Sequence, residues 1–204
     1  MASMPSWQGA AHVRNLSAGG LGLLYRVQPS GAHHIGSTGP LVIVCSSEAV
    51  IAGAVIQAIA PRPVHVVPNA AMSAALPAAL LQASGAIVPA STAAIEAQES
   101  ALEALTDGRA VAVVGSLVDP SWLVATSIAP VLCVTLVGER GRVPTDPPRL
   151  RSLIRAYVSE QVTIAVSGDP LRVSTRTAVT ERLRQLIADA DDQALRRAGL
   201  WEAS

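Results

Sequence analysis

A chain of 204 residues, half of them apolar and 15% charged, can fill the core of one domain and is too apolar for a disordered segment. Fifteen basic side chains balance fifteen acidic ones, which argues against a long polyanion as partner, so no nucleic acid is expected. With three Trp, two Tyr and no Phe, the core must come from Val, Leu, Ile and Ala, and few rings remain to stack on a base or sugar.

Cys45 and Cys133 both sit in apolar runs and read as buried, reduced thiols. No Cys or His pair has zinc-ligand spacing, so no metal is expected. The first residues lack the basic-then-apolar order of a secretory leader. The longest apolar stretches, 49–61 and 74–88, are too short or too interrupted by Pro and Gly to span a bilayer. A cytoplasmic protein is expected.

Residues 1–20 are small, polar and Gly-rich and read as a flexible arm, with the domain proper over 21–197. "LGLLYRVQPSG" (21–31) starts strand-like and ends in a Pro-Ser-Gly turn. His33 and His34 follow in a loop. "LVIVC" (41–45) is a continuous β-rich run, the pattern of a central strand covered on both faces. Residues 48–60 read as a helix stopped by Pro61 and Pro63. "VHVV" (64–67) is the next strand, followed by a short helix near 70–82 and an apolar "GAIVPA". The clearest helix is 92–106, with Ile95, Leu102 and Leu105 on one side and Glu96, Glu99 and Glu103 on another. "AVAVVG" (110–115), "APVLCVTLVG" (129–138) and "VTIAVSG" (162–168) are further strands. The chain closes in an amphipathic helix carrying Val179, Leu183, Leu186 and Ile187. This alternation predicts a single α/β domain with a mostly parallel or mixed central sheet and helices on both faces.

Taken in order, "GPLVIVCSSEAVI", "SGAIVPAS", the helix 92–106, "LTDGRAVAVVGSL", "APVLCVTLVG" and "VSGDPLRV" resemble the PlsC-like glycerolphosphate and lysophospholipid acyltransferases. The likeness runs from about 21 to 190 and rests on the order and spacing of the blocks. It implies an acyltransferase-like fold and a place in bacterial phospholipid metabolism. In that family the first strand ends in Asn-His, and an Asp follows in a His-x4-Asp pattern. Matched block to block, Cys45 stands for the Asn, Ser46 for the His, Glu48 for a Ser and Ile51 for the Asp. The family's acceptor-binding Arg falls at Ser91 or Ala90, and its "F-P-E-G" block reads Val114, Gly115, Ser116, Leu117. Ser91, Gly115 and Ser116 are therefore the degenerate counterparts of the substrate-binding positions.

The family's reaction needs a base to take a proton from the acceptor hydroxyl, and imidazole serves because its pKa lies near neutrality. Ser46 cannot do this unaided, and Ile51 cannot orient a ring. None of the four histidines (12, 33, 34, 65) has an Asp five residues on. One reading is thus a catalytically inactive relative acting through protein or acyl-chain binding, whose implied partner is an active acyltransferase. The alternative is an atypical acyltransferase or hydrolase using an acyl-CoA or acyl-carrier thioester, with Cys45 or Ser46 as nucleophile at the strand-to-helix turn and His65 nearby. Otherwise Cys45 is buried, Ser46 or Ser47 caps the helix, and Glu48 lies in its first turn. Arg62 and Arg109 read as exposed turn residues. The stretch Arg140, Arg142, Arg149, Arg151 and Arg155 is the densest basic segment, either a solvated face or a peripheral contact with an anionic membrane.

Overall fold

The β-rich runs form one six-stranded sheet. The computed structural model describes residues 5–88, 94–115, 118–143, 146–166, 168–170 and 172–199. Its strands are β1 (Arg26–Ser30), β2 (Leu41–Cys45), β3 (Val64–Val67), β4 (Ala110–Val114), β5 (Val131–Val137) and β6 (Leu153–Val158), in the spatial order β1-β6-β5-β2-β4-β3. Neighbours from β5 through β2 and β4 to β3 are parallel. β6 runs antiparallel to β5, and β1 runs parallel to β6, so the sheet is mixed, as expected.

Every residue of β2 and β4 is buried, which explains why these strands show no polar alternation. Leu41, Ile43 and Cys45 face α1 (Trp7–Leu24) and α2 (Ala52–Ile59), while Val42 and Val44 face α5 (Ala94–Thr106), α6 (Pro120–Ser127) and α7 (Val173–Ala198). Two apolar layers therefore sandwich the sheet, and the loops at the C-terminal ends of β2, β3, β4 and β5 gather at one edge.

Several expectations need correction. The stretch read as an arm contains α1, an 18-residue helix whose N-cap Ser6 accepts from Gly9 N at 3.0 Å and which packs along α2. "LGLL" is the end of that helix, and the strand starts only at Arg26. The helix after β2 starts at Ala52, leaving 46–51 as an extended turn. Pro77, without an amide hydrogen, splits the helix near 70–82 into α3 (Ala70–Ala75) and α4 (Ala78–Ala83). Within "VTIAVSG" the described residues contribute one isolated bridge, Val162 to Val131, instead of a strand, and Ser167 lies outside them. Arg62 is buried, 6% exposed, and Arg109 is also largely covered. No described helix is long and apolar enough to cross a membrane.

Candidate functional site

The C-terminal ends of β2, β4 and β5 bring together the residues that the sequence singled out and several it did not. Gly115 N donates to Cys45 O at 3.0 Å, continuing the β2–β4 ladder by one bond. Gly115 has a φ of +72°, and a Cβ there would lie 3.0 Å from the Cβ of Asn69, so the turn holds Asn69 against the end of β2.

Asn69 ties this edge together. Its Oδ1 accepts from Met72 N at 2.8 Å as the N-cap of α3, and its Nδ2 donates to Ala49 O at 3.3 Å and Ser47 O at 3.5 Å. The turn 46–51 is thus fixed from the neighbouring loop, not by its own helix: the N-cap of α2 is Ile51, which makes no side-chain cap bond.

Each serine of the turn is engaged by a carboxylate. Ser47 is buried, and its hydroxyl donates to Glu139 Oε1 at 2.9 Å while accepting from Ala49 N at 3.2 Å. Glu139, only 4% exposed, follows β5, and the exposed Arg140 guanidinium approaches the same oxygen at 3.6 Å. Ser46 is exposed and donates to Asp191 Oδ2 at 3.4 Å, while Thr135 on β5 donates to Asp191 Oδ1 at 2.6 Å. Asp191 belongs to α7, so this helix is stitched to the mouth of the sheet by two hydroxyls.

Cys45 is 1% exposed and points into the core beneath α2. Burial pushes its thiol up to about 12, with the charges of Glu139 and Asp191 adding to the effect against a lowering backbone bond from Ser47. Burial and Asp191 likewise push Cys133 up to about 12. Both thiols are thus held in the protonated form, whereas the thiolate is the reactive one.

His65 does not approach this turn. It lies two strands from β2 and level with Val42, three residues below Cys45, and it points to the opposite face. These offsets amount to roughly 10 Å across and 10 Å along the sheet. Its Nδ1 bonds Gly85 O at 2.8 Å, which fixes that nitrogen as the donor and leaves Nε2 to accept from Arg109 at 3.5 Å. The Trp7 ring packs 6.0 Å away and the Arg109 guanidinium sits 5.7 Å over that indole. His65 is a satisfied core histidine at the sheet's outer edge.

His33 and His34 lie past β1, three strands from β2, where His34 Nδ1 meets Val158 O at 3.2 Å. Glu48 is exposed, Ile51 half-buried against the core, and Val114 fully buried. Ser91, Ser116 and Leu117 lie outside the described residues.

Beside the turn, Val13 of α1, Val50, Gly53 and Ala54 at α2, and Met72, Leu76 and Leu80 at α3–α4 line an apolar cavity of about 260 Å³. Its polar amide, Gln57, is spent on β3: it donates to Val64 O and accepts from Val64 N at 3.4 Å.

Sequence reading missed Asn69, Glu139 and Asp191. A helix-start signal marked Asn69 ahead of "AAMSAA", and Glu139 stands just past a strand end, where parallel sheets collect functional groups. Asp191 gave no local signal, since its partners lie 56 and 145 residues away.

No family model and no curated protein matches the chain. Among solved structures it is similar to the 1-acyl-sn-glycerophosphate (LPA) acyltransferase PlsC from Thermotoga maritima, with a TM-score of 0.56 and 14% identity, over 87% of this chain and 79% of that one. The chain has an acyltransferase-like fold.

Proposed function

We propose that this protein is an acyltransferase-like binding protein that no longer transfers acyl groups and that holds a hydrocarbon chain in the cavity beside α2. The observation that supports this reading is the state of the β2 turn. Ser46 and Ser47 each donate to a carboxylate, Cys45 is a buried thiol, and His33 and His34 lie past β1 and His65 on β3. A base that takes a proton from an acceptor hydroxyl must stand free at the reacting position. Here Glu139 and Asp191 are already engaged by the protein's own hydroxyls.

The cavity supplies the binding half of the reading. Its walls are almost wholly aliphatic, and an apolar cavity of about 150 Å³ already stays dry and accepts benzene. The acyl group that the Thermotoga protein's name implies is of the same chemical kind as these walls.

Native mass spectrometry of the protein incubated with palmitate tests the reading. The expected result is a one-to-one complex that weakens by roughly tenfold or more in Ala54→Trp, where an indole fills the cavity. A protein that takes up no palmitate, or an Ala54→Trp variant that binds it as well, contradicts acyl binding at this cavity.

A further inference from the structure

The basic segment after β5 folds into a second, unlike cavity. All fifteen basic residues of the chain are arginines, and over 139–155 five of them meet only two acids, Glu139 and Asp146, in a chain whose formal charge is zero. Arg140, Arg142 and Arg149, with Asp146 and Ser152, line a cavity of about 590 Å³. Arg140 leans on Glu139 at 3.6 Å, whereas Arg142 and Arg149 have no ion-pair partner among the described residues.

The described residues that flank them pack closely. Gly141 lies so close to the facing strand of the loop that a Cβ would come within 2.6 Å of Asp146 O and 2.8 Å of Pro147 O. Pro147 and the buried Pro148 fix their own backbone torsions. Ser152 closes the far side, its amide donating to Arg149 O at 3.0 Å and its hydroxyl to the same oxygen. Like charges gathered around one cavity repel one another, and that repulsion is relieved by an anion between them.

We propose that this cavity binds a phosphate group through Arg140, Arg142 and Arg149. A carboxylate carries one charge and satisfies one guanidinium fork. A phosphomonoester carries close to two charges and has three terminal oxygens, which match several guanidiniums at once. The inference goes beyond the acyl-binding reading and does not depend on it.

A phosphate reaches such a site on a soluble molecule or on a lipid. The surroundings bear on the second source. Leu150, 72% exposed, stands between Arg149 and Arg151, and Arg151 N bonds Leu24 O at 2.6 Å, which brings the end of α1 and the 84% exposed Leu23 to the same side. Exposed leucines beside arginines suit the edge of a bilayer that displays phosphate headgroups.

Calorimetric titration with inorganic phosphate, and flotation with vesicles of phosphatidylcholine alone or mixed with phosphatidate, test the proposal on the full chain. Binding of either phosphate source is expected, falling by roughly tenfold or more in Arg142→Gln/Arg149→Gln. The same charge change made on α7, Arg182→Gln/Arg184→Gln, is expected to leave binding intact. Capture of phosphatidate vesicles but not inorganic phosphate assigns the site to a lipid headgroup, and the reverse assigns it to a soluble phosphate. Absence of binding to both overturns the proposal, as does equal loss in the two double variants, which would indicate attraction by net charge alone.

Discussion

At the scale of single residues, burial decides which groups keep their chemistry. Cys45 offers a thiol at a strand-to-helix turn, but the side chain faces the core, and desolvation pushes the thiol up to about 12. Iodoacetamide at mildly alkaline pH is therefore expected to label neither Cys45 nor Cys133 in the folded protein and both in urea. Rapid labelling of Cys45 in the native state would contradict its burial. His65 is governed by the same force. Burial lowers its pKa from the ordinary 6.5, a Gly85 bond pulls it back up, and the Arg109 charge lowers it further. The unfolded chain then takes up the proton first, so this contribution to stability is complete above about pH 6.5 and is lost as pH falls below it. Urea midpoints at about pH 7.5 and pH 5.5 are expected to fall less in His65→Gln than in the wild type. An equal fall in both proteins would contradict a buried, neutral imidazole.

At the scale of elements, the central strands were legible because each is a short β-branched run that needs no context. β2, β3, β4 and β5 fall within two residues of their expected bounds. β6 was not read as a strand, because Arg155 and Tyr157 alternate with Ile154, Ala156 and Val158 inside a stretch dominated by its arginines. α6 escaped for a related reason: "PSWLVATS" is buried on most sides and shows no amphipathic period, although Asp119 caps it and Pro120 opens it. α1 was hidden by its glycines. Gly19, Gly20 and Gly22 suggest a loose chain, yet nothing occupies the space beside them, and the helix is held by Ala10 and Leu21 against the domain. Leu21→Ala is therefore expected to cost about 2–5 kcal/mol, the range for emptying a packed leucine site. Leu16→Ala, on the exposed side, is expected to stay within about 0.5 kcal/mol. Chemical denaturation of the two variants checks this, and a neutral Leu21→Ala would mean that α1 is not part of the cooperative fold.

At the scale of the whole molecule, topology gathers polar groups from β2, β3, β5 and α7 at one edge of the sheet, and the chain uses them to close that edge. Ser47 with Glu139, Ser46 and Thr135 with Asp191, and Asn69 with the 47–49 backbone are contacts between segments far apart in sequence. The order of blocks along the chain was enough to foresee an acyltransferase-like fold. It could not reveal that the hydroxyls at the turn are paired with carboxylates, since those pairs exist only once the sheet has formed. The same edge is bordered by an apolar cavity on one face and an arginine-lined cavity beyond β5, so both cavities sit around a closed centre.

The most direct test of that closed centre is a mass-spectrometric assay of the purified, folded protein with acyl-CoA and acyl-carrier thioesters, with and without lysophosphatidate. Product, released thiol and covalent acyl adduct are followed together, and Ser46→Ala, Ser47→Ala and Glu139→Gln serve as comparisons. No turnover and no adduct is the expected result. Product or adduct that disappears in any of the three variants would show that the β2 turn still carries chemistry and would contradict the loss of acyl transfer.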